Sequence, residues 1–425
     1  MPKNRMPLII PRAEHNITRD NISPSALKVL YRLKDAGFAA YLVGGGVRDL
    51  LLGLAPKDFD IATNALPEEI KHLFRNCILI GRRFRLAHIR FGQEIIEVAT
   101  FRADHSKATG EEARSLDGLI LRDNVYGTIE EDAIRRDFTI NALYYNIADF
   151  SVVDYCGGLN DLKKKHIKMI GDPLQRYQED PVRLLRAIRF AAKLDFKIEK
   201  KTASAIQEVA YLLHQTAPPR LFEEMIKLFL KGHAEKTYEL LKHYDIFKEI
   251  FPVSAYVLTH PDQYPVEKFF HTAMKNSDLR VAEYKTLNPA FILAVLLWYP
   301  FLIERERAKQ HGLSDIVATQ EAIHRTLKEQ QHIVQITKRF AAVIEEVWRF
   351  QFRLERRYWR AITKLLAHPR FRAAYDFLLL RAQAGESVGE IAKWWTTLYH
   401  ADDDTRTDMI QKMKTSAPLT SGKKR

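Results

Sequence analysis

The stretch from Leu42 to Thr63, LVGGGVRDLLLGLAPKDFDIAT, constrains the fold more than any other part of the chain. It reads as an apolar strand, three consecutive glycines, a short helix, a proline-marked turn and a second strand carrying Asp58 and Asp60. Residues two apart in a strand share a face, so both carboxylates aim at one spot. Two anions side by side raise each other's pKa and gain nothing unless a cation neutralises them. Oxygen-only donors select Mg²⁺, with Mn²⁺ able to substitute, over a soft metal. Gly44 and Gly45 have no side chains, so their backbone can approach a triphosphate closely, and the following helix turns its first amides toward the anion. Either pattern alone arises by chance. Joined in one strand-helix-strand unit, they specify a metal site next to a phosphate site.

The flanking sequence supplies the rest of an α+β domain. Ser23-Pro24 opens an amphipathic helix that runs to about Phe38, with Ala26, Leu27, Leu30 and Leu33 on its apolar side. A second helix starts at Leu66-Pro67. Leu79 to Arg102 reads as two antiparallel strands around Gly92, with Glu97 on the face shared by Ile95 and Ala99. Residues 103 to 120 are small and polar, a loop with a closing role over the site. Thr128 to Ile147 begins with a capping box, continues as a helix and ends as a strand.

The block GGGVRDLLLG followed by DFDIAT resembles the signature of polymerase-beta-type nucleotidyltransferases, in the class that holds bacterial poly(A) polymerases and CCA-adding enzymes. The likeness covers about the first half of the chain. It implies a nucleotidyltransferase head with a mixed sheet, all-α neck and body domains, and two Mg²⁺ ions bridging Asp58, Asp60 and a third carboxylate. EVATFR resembles the strand that supplies that carboxylate, which makes Glu97 a candidate. RRDFTINAL resembles a motif that places Arg136 and Asp137 at the sugar and phosphates with Asn141 nearby, so Asp137 is the other candidate. Gly44, Gly45 and Arg48 would hold the triphosphate. In RYQEDPVRLLRAIRFAAKL, EDPVR resembles the base-recognition motif, giving Glu179, Asp180 and Arg183 the Watson–Crick edge of the incoming nucleotide and leaving Arg186 either to reach phosphates or to hold the helix.

LIGRRFRLAHI, from Leu79 to Ile89, resembles a signature of the poly(A) polymerase branch, and its Arg82 and Arg83 are candidate RNA contacts. The implied activity is template-independent addition of AMP from ATP to RNA 3′ ends. Addition of C and A to tRNA is the near alternative, and a non-catalytic RNA binder with a degenerate head is the distant one. RNA-decay exonucleases and RNA chaperones are implied companions.

With 425 residues the chain is long enough for more than one core. We read a head at 20–160, a helical neck at 161–250, a helical body at 251–410 and a basic tail at 411–425. The net charge of +13 fits a polyanionic partner. In the body, FQFRLERRYWRAITK interleaves aromatic and basic side chains, so Arg353, Arg356 and Arg357 are candidate RNA contacts. Two cysteines, Cys77 and Cys156, point to neither a zinc knuckle nor a disulfide framework. The apolar run Ala290–Ile303 is too short to span a bilayer. A cytoplasmic monomer is expected.

Overall fold

The Leu42–Thr63 stretch lies at the centre of an eight-stranded mixed sheet in a computed structural model, which describes residues 6–81, 85–103, 125–260 and 264–415. The strands are β1 (Leu8–Ile10), β2 (Ala40–Val43), β3 (Asp60–Thr63), β4 (Cys77–Ile80), β5 (Leu86–Phe91), β6 (Glu94–Thr100), β7 (Leu143–Asn146) and β8 (Val152–Asp154). Their order is β1-β8-β7-β2-β3-β6-β5-β4. Only β3 and β6 run parallel, and that pairing sets Asp60 beside Glu97. The two strands read around Gly92 are β5 and β6, whose turn uses the glycine at φ +61°. Beyond them, β4 adds an edge strand.

Helix α1 (Pro24–Asp35) backs the sheet. Ser23 Oγ accepts from the Ala26 amide at 3.0 Å, and Pro24 sits where no intrahelical N–H is needed. Ala26, Val29, Leu30 and Leu33 are buried against β2, β3 and β6. Each such aliphatic side chain contributes about 1.5–3 kcal/mol of transfer free energy. On the site side of the sheet Val43, Ala62, Phe101, Ala133, Ala142 and Tyr144 form a second apolar cluster.

Further along come α2 (Gly45–Leu51), α3 (Pro67–Leu73), α4 (Ile129–Ile134), α5 (Gly158–Lys163), α6 (Pro173–Glu179), α7 (Val182–Leu194) and α8 (Lys200–Val209). The capping box at α4 is present: Thr128 and Glu131 exchange side-chain and backbone hydrogen bonds. The segment RYQEDPVR spans the end of α6 and the start of α7, with Pro181 at the N-cap of α7, because proline cannot donate the amide that would continue α6.

The chain divides into two compact units, residues 1–209 and 210–425. The second is all-α, from α9 (Pro218–Phe229) to α21 (Asp403–Thr415). The apolar run at 290–303 is divided between α14 (Pro289–Leu296) and α15 (Trp298–Gln310), with Pro300 in the first turn of the latter, and it supplies fully buried Trp298, Tyr299 and Phe301. No helix among the described residues is long and apolar enough to cross a membrane.

Candidate active site

Strand β2 ends at Val43, whose register partner is Asp60. Gly44 then turns the chain into α2 with φ +70° and ψ −131°, and a Cβ there would lie 3.2 Å from Arg136 Nη1. The reading that both aspartates sit in one strand is corrected: β3 begins at Asp60, opposite the last residue of β2, and Asp58 precedes it in an exposed irregular segment. The two still sense one another, since Asp58 contributes to the field at Asp60.

Asp60, Glu97, Asp132, Arg135 and Arg136 line a cleft of about 300 Å³. Crowding by the protein, then the Glu97 charge, push the Asp60 carboxyl up to about 6; Arg136 opposes the shift and Asp58 adds to it. Such an excess of negative charge is what a bound cation would relieve. Among the described residues no three His, Cys, Asp or Glu side chains converge as a metal site. The expected three-carboxylate cradle is thus not preassembled. Mg²⁺ commonly takes one or two carboxylates and completes its shell with water and substrate phosphate, so Asp58 and Asp60 fit it. Glu97 hydrogen-bonds His88 Nε2 at 3.2 Å from its Oε2.

Arg136 is held in place from two sides. Its Nη2 lies 3.0 Å from Asp132 Oδ2, its Nε donates to Tyr144 Oη at 3.0 Å, and that hydroxyl donates to the same carboxylate at 2.7 Å. Burial raises the Asp132 pKa, but Arg136 and Tyr144 outweigh it and keep the carboxyl below its ordinary value. Arg136 thus presents a fixed positive charge to the cleft. Asp132 and Tyr144 were not legible as site residues, although Asp132 lies four residues before Arg136, the spacing at which helical pairs meet.

A second network links four of the residues named for the nucleotide, Arg48, Asn141, Asp137 and Arg186. Arg48 is 2 % exposed; its Nε and Nη2 donate to Asp49 Oδ1 at 2.8 and 2.6 Å, and its Nη1 to Asn141 Oδ1 at 2.6 Å. These bonds use three of the five guanidinium N–H donors and hold Arg48 against the glycine turn. Asn141 passes the chain on, with Nδ2 3.1 Å from Asp137 Oδ1. Asp137 also accepts from the Phe138 amide, and Arg186 Nη2 lies 2.6 Å from its Oδ2. Asp137, Arg186 and Asn141 thus bond mainly to one another, whereas Glu97 is the carboxylate beside Asp60. Lys193 Nζ, 3.0 Å from Asp49 Oδ2, closes the network from α7.

At the α6–α7 break Glu179 Oε2 is 2.8 Å from Arg176 and 3.1 Å from Arg183, whose Nη1 also donates to the Arg176 carbonyl at 2.6 Å. Asp180 accepts from the Val182 amide at 3.2 Å. The carboxylate and guanidinium named for base reading are therefore preorganised as a pair. In the second unit Arg356 is bound to Asp315 at 2.8 Å, Arg353 lies over Phe350 and Arg357 over Trp394. Arg82 and Arg83, the tail from 416 and, apart from Ala103, the loop read at 103–120 fall outside the described residues.

A mixed sheet with Asp60 at the start of a central strand, a glycine turn beside it and helices following defines a polymerase-beta-like nucleotidyltransferase. Family models match at residues 40–168, the poly A polymerase head domain; at 195–258, a probable RNA and SrmB-binding site of polymerase A; and at 311–425, the polymerase A arginine-rich C-terminus. Poly(A) polymerase I of Escherichia coli O6:H1 is 49 % identical over 393 residues, covering 91 % of this chain and 84 % of that protein. The Haemophilus influenzae enzyme of the same name is 46 % identical over 417 residues, covering 96 % and 92 %. The CCA-adding enzyme of Lactobacillus helveticus matches at 40 % over 215 residues, 51 % of this chain and 52 % of that one. In three dimensions, Bacillus stearothermophilus CCA-adding enzyme solved with CTP superposes with a TM-score of 0.58 at 24 % identity, over 88 % of this chain and 81 % of that one. The chain belongs to the bacterial poly(A) polymerase family.

Proposed function

We propose that the protein is a polynucleotide adenylyltransferase that lengthens RNA 3′ ends with AMP from ATP, without a template, releasing pyrophosphate. The observation that carries this reading is the extent of likeness: poly(A) polymerase I relatives match over more than nine-tenths of the chain, the CCA-adding relative over about half. Residues 20–160 serve as catalytic head, 161–250 as neck, 251–410 as RNA-holding body and 411–425 as a basic tail.

Asp58 and Asp60 would hold Mg²⁺, as a pair of ions with Glu97 at the edge of the site. Bound there, the metal supplies positive charge that acidifies the RNA 3′-hydroxyl and steadies the triphosphate. The Gly44–Gly45 backbone gives the phosphates close approach, which a side chain at Gly44 would obstruct. Arg136, fixed by Asp132 and Tyr144, offers a preorganised positive charge as the leaving pyrophosphate develops its own. Glu179 or Asp180, with Arg183, reads the base: a carboxylate accepts from adenine's exocyclic amine, a guanidinium donates to ring nitrogen, and a base that leaves either unpaired is rejected. The head-to-α7 network around Arg48, Asn141, Asp137 and Arg186 keeps that reading pair in register with the glycine turn.

We place the enzyme in the cytoplasm as a monomer, in keeping with its free Cys77 and Cys156, with RNA chaperones and decay exonucleases as companions. The test is extension of an unstructured RNA by purified protein with ATP or CTP. Ladders with ATP alone are expected; CTP incorporation confined to tRNA ends would favour the CCA-adding alternative, and loss of neither nucleotide binding nor incorporation in Asp60→Ala would favour a non-catalytic site.

A further inference from the structure

One end of the second unit carries cations with no ion-pair partner among the described residues. Helix α17 (Lys338–Arg356) stops at Arg357, which adopts φ +44° and turns the chain into α18 (Trp359–Leu366). Several basic residues of this region are paired within the fold: Arg349 with Glu345, Arg356 with Asp315, Arg370 with Glu346, Arg381 with Glu355 and Glu386, Arg406 with Asp403. Arg357, Arg360, Lys364 and Lys414 have no ion-pair partner among the described residues.

These four gather around aromatic rings. Arg360 lies 5.0 Å from the centre of the Trp359 ring, Lys414 approaches the same ring at 5.5 Å, and Arg357 sits 5.7 Å from the Trp394 ring on α20 (Gly389–His400). Tyr358, 53 % exposed, stands next to Trp359 with ring centres 6.5 Å apart. Arg360 and Lys364 share a helix face at a spacing of four, and α18 packs on α21. Trp359 and Trp394 are half-buried on a core that includes Trp395 and Leu398, which fixes the orientation of their rings.

We propose that this face docks a single-stranded stretch of RNA, with a base stacked on the exposed Tyr358 ring and phosphates on Arg357, Arg360, Lys364 and Lys414. An acidic peptide would satisfy the cations and leave the exposed ring unused. A single strand presents one negative charge and one π face per unit, which matches both halves of the patch. The proposal deepens the polyadenylation reading by naming where the body holds its substrate, and it moves the contact away from Arg356, which Asp315 already occupies.

The test uses the full chain and fluorescence anisotropy with an unstructured 20-nucleotide RNA across a salt series. Each phosphate contact on a single strand contributes about 0.7 to the slope of log affinity against log salt, so Arg360→Ala with Lys414→Ala is expected to reduce it by about 1.4. Tyr358→Ala should weaken binding about tenfold and leave the slope unchanged, because stacking is uncharged. Binding of a fluorescent ATP analogue should stay at wild-type strength in all variants. Unchanged affinity and slope, or displacement of the RNA by polyphosphate or polyglutamate as readily as by single strands of equal charge, would overturn the proposal. A wild-type chain that adds no AMP, while these variants still lose RNA, would sink the polymerase reading and leave the docking surface standing.

Discussion

Lys193 Nζ lies 3.0 Å from Asp49 Oδ2, while the other oxygen of the same carboxylate takes Arg48 at 2.6 Å. One side chain thus ties the helix after the glycine turn to the helix that carries Arg183. Lys193→Met keeps the apolar stem and removes the charge, so α7 should loosen relative to the phosphate site. The expected outcome is a several-fold rise in KM for ATP and a smaller preference for ATP over CTP, with kcat for ATP less affected. Asp49→Asn should do more, because it strands the buried Arg48 guanidinium; breaking a buried pair from one side costs about 3–5 kcal/mol. Steady-state extension kinetics and a thermal melt separate the two variants. Equal ATP preference in wild type and Lys193→Met would remove the positioning role.

Asp137 gives the fold an acid sensitivity of predictable sign. Burial would raise its pKa, but the Arg186 charge, with hydrogen bonds from Asn141, Arg186 and the Phe138 amide, brings it down to about 2. A carboxyl depressed in the folded state stabilises it above the unfolded value near 3.8, and that contribution fades as pH falls from about 4 toward 2. Its size is about 2 kcal/mol, by linkage from those two pKa values. Asp137→Asn should therefore lower the melting temperature at pH 7 and flatten its dependence on pH between 4 and 2. Parallel melting curves for the two proteins over that range would contradict this account.

The sequence was readable where the pattern was local. The Ser23 cap, the Thr128–Glu131 box and the turn at Gly92 follow from spacing alone, and the structure contains each; the α1 stripe follows too, except that Val29 is buried where Leu27 was expected. Long-range pairing was not readable. Nothing in the order of residues says that β3 begins only at Asp60, which leaves Asp58 outside the strand. Arg48 followed by Asp49 looks the same whether the guanidinium faces phosphate or folds back on its neighbour, and only the arrival of Asn141 and Lys193 decides it. The same holds for Asp132 and Tyr144, which acquire a place at the site by converging on Arg136.

Gly44 tests the close approach required of the glycine turn. At φ +70° and ψ −131° any side chain is strained, a cost of about 1–3 kcal/mol, and the new methyl would press on Arg136 Nη1 at 3.2 Å. Gly44→Ala is expected to lower the melting temperature and to reduce ATP affinity beyond what the lost stability explains. Gly53→Ala is the control: it too has positive φ, at +73°, but its Cβ would meet nothing within 4 Å. If both variants lose ATP affinity equally, the crowding at Arg136 is irrelevant to nucleotide binding.

The charge excess at Asp60 makes the metal site testable without any turnover. Its neighbours Glu97 and Asp58 are anions, and among the described residues Arg136 is the cation that counts against them. Asp60→Asn removes a repelled carboxylate, so at pH 7.5 the metal-free variant should melt at or above the wild-type temperature. Adding Mg²⁺ should raise the wild-type midpoint, because a ligand that binds only the folded state at a hundredfold excess over its dissociation constant contributes about 2.7 kcal/mol. For a unit of this size that corresponds to a gain of roughly 5–10 °C. The gain should vanish in Asp60→Asn and shrink in Asp58→Asn, whose side chain lies in the exposed segment. Asp137→Asn should retain it, since that carboxylate is committed to Arg186 and Asn141. A wild-type Mg²⁺ shift that survives Asp60→Asn but disappears in Asp137→Asn would transfer the cation to the other carboxylate.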